Sequence, residues 1–86
     1  MKFLLSRHAE GEMLRRRIPR GWVESLLDNP QQRVRQPGGK EILQSRFESE
    51  GGRMYLLRAV VTTEKEPPVV VTVYRTSKIE KYWRPE

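Results

Sequence analysis

Arg46, Arg58, Thr72 and Tyr74 have the spacing most suggestive of chemistry in this 86-residue chain. All four carry even numbers within segments that read as strands, where successive side chains point to opposite faces of a sheet. The odd positions of those segments are Leu43, Ser45, Phe47, Tyr55, Leu57, Ala59, Val61, Val69, Val71 and Val73, nearly all apolar, and they call for a covering layer. The even positions are Gln44, Arg46, Glu48, Met54, Leu56, Arg58, Val60, Val70, Thr72 and Tyr74. Two guanidinium groups, a hydroxyl and a phenol thus share the other face. A guanidinium presents parallel N–H groups that fit a phosphate, so anion binding is the chemistry expected there.

Hairpin register decides whether that face exists. A three-residue loop at Gly51-Gly52-Arg53 pairs Arg46 with Arg58, a like-charge contact that an anion or Glu48 would have to separate. A two-residue Gly51-Gly52 turn would instead set Arg58 beside Leu43 and Phe47. The first arrangement keeps an arginine out of the core and is preferred. A plainer reading of Arg46 and Arg58 is that they are solvated residues, since open antiparallel sheets have one wet face.

The elements that would position these residues follow from periodicity and turn chemistry. Ser6 can cap a first helix running to about Arg17, with Leu5, Ala9 and Met13 inward and Gly11 weakening it. Pro19 suits the first turn of a second helix carrying Trp22, Val23, Leu26 and Leu27, and Asn29-Pro30 ends it. Strands follow at Gln31–Arg35, Glu41–Ser49, Arg53–Thr62 and Val69–Arg75, separated by turns at Gln36-Pro37-Gly38-Gly39 and Gly51-Gly52 and by the loop Glu64–Pro68. Ser77 and Glu80 have the spacing of a capping box, and Ile79, Tyr82 and Trp83 then fall on one face of a short terminal helix. The expected fold is α+β: two N-terminal helices packed on one face of a four-stranded antiparallel sheet, with a short C-terminal helix, in a single domain over 1–86.

Composition narrows the partners. The net charge is +6, and 12 of the 17 basic residues are arginine. RNA or another polyanion is favoured, although an acidic protein partner would also satisfy the charge. Without cysteine there is no disulfide or thiolate zinc site, and a single histidine cannot build a multi-histidine one. No cofactor or metal is expected. Met1–Leu5 is too short for the apolar stretch of a signal peptide and no run approaches bilayer length, so a cytoplasmic protein without membrane contact is expected. The Gly38-Gly39-Lys40 and Gly51-Gly52 sequences read as tight turns rather than phosphate-binding loops.

Ser6-x-His8-Ala9, Met13, Arg16 and Ile18, the second helix ending in Asn29-Pro30, and Val71-Thr72-Val73-Tyr74-Arg75 together resemble the DUF4258 family. The tail Thr76–Trp83 resembles the C-terminus of a subset of that family. The family in turn looks like a relative of the RelE/ParE toxin superfamily. That resemblance implies a metal-independent endoribonuclease that cleaves mRNA, free or at the ribosome, and is held inactive by an antitoxin protein. Two departures stand out. Glu12 occupies a position where the family often has arginine, and Arg17 one where it often has a helix-ending glycine.

Metal-free RNA cleavage needs a base near the ribose 2′-OH, positive charge on the phosphate as it becomes more negative, and an acid for the leaving oxygen. Under the resemblance, Arg46 and Arg58 would stabilise the phosphorane, Tyr74 or Lys78 would position or donate a proton, and His8 is the candidate base. His8 could equally serve only as a local hydrogen-bonding group. Arg16, Arg75 and Lys81 would add contacts to RNA. The alternative is a non-catalytic RNA-binding or protein-interaction module using the same basic face.

Overall fold

The apolar odd positions Leu43, Leu57, Ala59 and Val61 collect on one face, joined by Val70 and Val73, and two helices cover it. A computed structural model describes residues 2–85 as β1 (Leu4–Leu5), α1 (Arg7–Arg15), α2 (Arg20–Asp28), β2 (Gln32–Gln36), β3 (Lys40–Glu48), β4 (Met54–Thr62), β5 (Val69–Thr76) and α3 (Ile79–Tyr82). Ala9 and Met13 of α1, Ile18, and Val23 and Leu26 of α2 pack on Leu43, Leu57, Ala59, Val61, Val70 and Val73 of the sheet. Among the described residues, no helix is long and apolar enough to cross a membrane.

The sheet is five-stranded and mixed, in the order β1-β5-β4-β3-β2, which corrects the four-stranded antiparallel expectation. The additional strand is β1, which runs parallel to β5 with Leu4 opposite Val69 and Leu5 opposite Val70. The Leu4 N–H donates to the Pro68 carbonyl at 2.9 Å and the Ser6 N–H to the Val70 carbonyl at 3.0 Å. Two residues cannot display alternation, and a parallel partner far along the chain leaves no hairpin signal.

Ser6 joins this strand to the first helix. Its Oγ accepts the Ala9 N–H at 3.0 Å and donates to the Val71 carbonyl at 2.8 Å, so it caps α1 and fastens the helix to β5. Ser6→Ala is expected to cost about 1 kcal/mol in urea denaturation, the usual loss for an N-cap. The far end of α1 closes differently. The Ile18 N–H reaches the Met13 carbonyl at 2.9 Å and the Arg17 N–H the Leu14 carbonyl at 3.3 Å, with Arg17 at φ 53°. This helix-ending pair of bonds places one residue in the left-handed region, where glycine has no steric penalty and arginine pays about 1 kcal/mol.

Two irregularities correct the parity reading. Between Val60 and Val61 the β4/β5 register slips, from Val60 opposite Thr72 to Val61 opposite Val70. The extra residue at this bulge reverses facing in the first part of β5, so Val70 is the buried core residue while Val69 and Val71 are half-buried. The β3–β4 loop is Glu50-Gly51-Gly52, one residue earlier than expected. The Gly52 N–H donates to the Ser49 carbonyl and the Ser49 N–H to the Arg53 carbonyl, both at 2.8 Å, with Gly52 at φ 85°. Moving a three-residue loop by one position moves the pairing by two. Arg46 therefore faces Leu56, and Arg58 faces Gln44. Arg58 stays on the even face and the like charges are not opposed.

Helix α3 starts without the expected box. Lys78 is its N-cap and no side chain caps it, while the Lys78 N–H turns back to Thr76 Oγ1 at 3.0 Å.

Candidate nucleic-acid interface

The corrected register lines up four polar residues across four adjacent strands. Gln32 faces Gln44, Gln44 faces Arg58, and Arg58 faces Tyr74. They form a hydrogen-bonded row. Gln44 Nε2 donates to Gln32 Oε1 at 2.7 Å, Arg58 Nε donates to Gln44 Oε1 at 2.9 Å, and Arg58 Nη1 donates to the Tyr74 hydroxyl. Gln44 is fully buried and Arg58 only 8 % exposed.

The C-terminal segment covers this row. The Tyr82 ring lies 4.2 Å from the Arg58 guanidinium carbon and meets Tyr74 edge-on at 6.5 Å. The Tyr82 carbonyl accepts from Gln44 at 3.2 Å, and Gln32 both donates to the Arg84 carbonyl at 2.7 Å and accepts the Arg84 N–H at 3.1 Å. Arg46, exposed two residues further along β3, holds the same segment with its guanidinium 4.1 Å over Trp83, while its backbone N–H donates to Gln31 Oε1 at 2.8 Å. Among the described residues Arg58 has no carboxylate partner, so its charge is offset by neutral oxygens and ring faces. That leaves a cation whose attraction for an anion is not quenched.

Other basic residues gather at one end of the sheet. The β3–β4 loop, the end of β5 and the connection between α1 and α2 meet there, bringing Arg17, Arg53 and Arg75 to a common rim, while Lys78 lines a separate cleft with Met54 and Lys81. Arg53 and Arg75 lie 5.6 Å and 4.9 Å from the Tyr55 ring. Tyr55 faces Phe47, and Phe47 stacks on Trp22 of α2 at 5.0 Å and 11°. Rings and guanidinium groups interleaved in this way suit single-stranded nucleic acid.

The residues expected to act together are only partly assembled. Arg58 and Tyr74 touch, and Arg46 and Lys78 lie on or beside the same face. His8 does not join them: it is exposed on α1, and the sheet separates that helix from Arg58. Arg75 faces the helix side, opposite Leu57, and Lys81 is exposed on α3 with its ammonium 5.4 Å from the Tyr82 ring. Arg16 is tied to Glu12 at 2.9 Å, beside a second ion pair from Arg15 to Glu12 at 2.8 Å. Glu12 thus neutralises the basic surface of helix one that its arginines alone would present.

Those hydrogen bonds from Arg15, then Arg16, hold the Glu12 carboxyl down at about 2, from an ordinary 4.5. The depressed value fixes the sign. The pairs contribute fully above pH 4.5 and are lost as pH falls toward 2. An NMR titration of the Glu12 carboxyl should show its midpoint near 2, and Glu12→Gln should remove only the share of acid sensitivity that these two pairs carry.

Gln32 and Gln44 were the functional neighbours of Arg58 that sequence reading missed. Gln44 stood on the even face, but only the correct hairpin register makes it the partner of Arg58. Among the described residues no group of three or more metal-ligating side chains occurs.

Residues 5–75 match the family described as a domain of unknown function, DUF4258. The chain belongs to that family. No curated protein and no solved structure matches it. The DUF4258 match takes in Ser6, the turn at Arg17, Gln32, Gln44, Arg58 and Tyr74, and it stops before the segment that covers the row.

Proposed function

We propose that this DUF4258 protein binds RNA through the basic end of its sheet. The observation that carries the reading is the set of Arg17, Arg53 and Arg75 on one rim, with Tyr55, Phe47 and Trp22 between them. Charge supplies affinity along the phosphates, and ring faces accept bases without regard to sequence. Binding of a labelled single-stranded oligoribonucleotide, followed by anisotropy, tests it directly. Absence of binding at low salt would remove the reading.

A second reading, metal-independent cleavage of mRNA by a toxin under antitoxin control, is favoured by one feature. Arg58 is a buried guanidinium without a carboxylate, in contact with a phenol. With the C-terminal segment displaced, Arg58 and Arg46 would receive the charge of a phosphorane and Tyr74 would donate to the leaving oxygen. His8 lies across the sheet, so the expected set places no group to take the 2′-OH proton, and Lys78 keeps only a positioning or proton-donating role. Tyr74→Phe should then abolish cleavage while sparing RNA affinity. Expression in growing cells, with mapping of RNA 5′ ends, distinguishes the readings: no new ends and no growth effect leave binding alone.

A further inference from the structure

Arginine at residue 17 occupies a position whose backbone favours glycine, with φ 53°. Strain of this kind persists only where the surrounding structure holds it, and it clusters at functional sites. The Arg17 side chain lines a cleft of about 430 Å3 shared with Trp22, Arg75, Glu48 and Glu50. That volume lies within the usual range for small-ligand sites.

The geometry points to this cleft as a subsite for one unpaired nucleotide of single-stranded RNA, its phosphate on Arg17 and Arg75 and its base against Trp22. The assignment rests on the RNA reading above and adds a location and a substrate class to it. Three features select the ligand. Trp22 lines the cleft, is half-buried and is already stacked on Phe47, which fixes the indole in place. Arg75 is held against the Tyr55 ring and, like Arg17, has no carboxylate partner among the described residues, although Glu48 and Glu50 line the same space. The guanidinium groups are thus available to a phosphate. Glu48 and Glu50 repel phosphate from their own flank and can accept N–H groups from a base edge, which orients the nucleotide. An acidic peptide offers carboxylates to the arginines but no planar base to lie against Trp22. A duplex is disfavoured because its bases are already stacked on each other.

Arg17→Gly separates strain from function. The variant should melt higher, by roughly 4–8 °C, while binding a single-stranded oligoribonucleotide about fivefold more weakly. In a Trp83→Phe background, where Trp22 is the sole indole, the oligonucleotide should quench the remaining emission. A duplex of the same sequence and an oligoglutamate peptide should not. Wild-type protein that binds the single strand while Arg17→Gly binds equally well would overturn the cleft and leave the RNA reading standing. No binding to either protein removes both. Quenching by oligoglutamate, or equal quenching by duplex, would assign the cleft to another ligand and overturn the proposal.

Discussion

Arg58→Ala is expected to lose about 3 kcal/mol in urea denaturation, because it opens a cavity and leaves buried neutral hydrogen-bonding partners unsatisfied. Gln44 Oε1 and the Tyr74 hydroxyl would each lose a charged donor, and Tyr82 would lose the cation beneath its ring. Arg58→Met should be milder. It keeps most of the volume and introduces no charge to satisfy, so a loss nearer about 1 kcal/mol is expected. Both variants leave Gln44 and Tyr74 without the guanidinium, so the loss in Arg58→Met reports the row and the further loss in Arg58→Ala reports packing. A loss under about 1 kcal/mol for alanine would mean that the row contributes little.

Ending the chain after Lys78 is expected to cost a similar amount, about 3 kcal/mol. Gln44 and Gln32 would lose the Tyr82 carbonyl and both backbone groups of Arg84, at about 1 kcal/mol each. The deletion removes Lys81 and Arg84 together with Glu80 and Glu86, so the net charge is unchanged. A shift in RNA affinity therefore reports uncovering of Arg58 and Tyr74 rather than bulk charge. The uncovered protein should bind single-stranded RNA several-fold more tightly at low salt. Unchanged or weaker binding by folded truncated protein would show that the segment is not a cover over an anion site.

Much of this arrangement was legible in the chain because two periodicities carry it. Alternation in β3 and β4 assigned Leu43, Leu57, Ala59 and Val61 to the helices and Arg58 to the opposite side. Helical spacing likewise placed Ala9, Met13, Val23 and Leu26 in the core. What escaped was local. Leu4–Leu5 is too short for a pattern, and the bulge after Val60 turns on one unpaired residue. The glycine pair at 51–52 announced a turn without fixing which three residues form it, and that single step decided whether Arg58 met Arg46 or Gln44. The docking of Tyr82, Trp83 and Arg84 over the even face is a long-range contact with no signature in spacing.

Arg17 illustrates a different kind of legibility. Its departure from a helix-ending glycine was visible in the chain, but its meaning appears only with the left-handed backbone and the cleft beside it. His8 shows the reverse. Its motif drew attention to it, yet α1 carries it to the side of the sheet away from Arg58 and Tyr74.

The salt dependence of single-stranded RNA binding tests the central claim most directly. Each phosphate contact contributes about 0.7 to the slope of log K against log salt. Contacts from Arg17, Arg53 and Arg75 predict a slope of roughly −2, shallower by about 0.7 in Arg17→Gly. Binding that does not vary with salt, or no binding at low salt, would contradict the account.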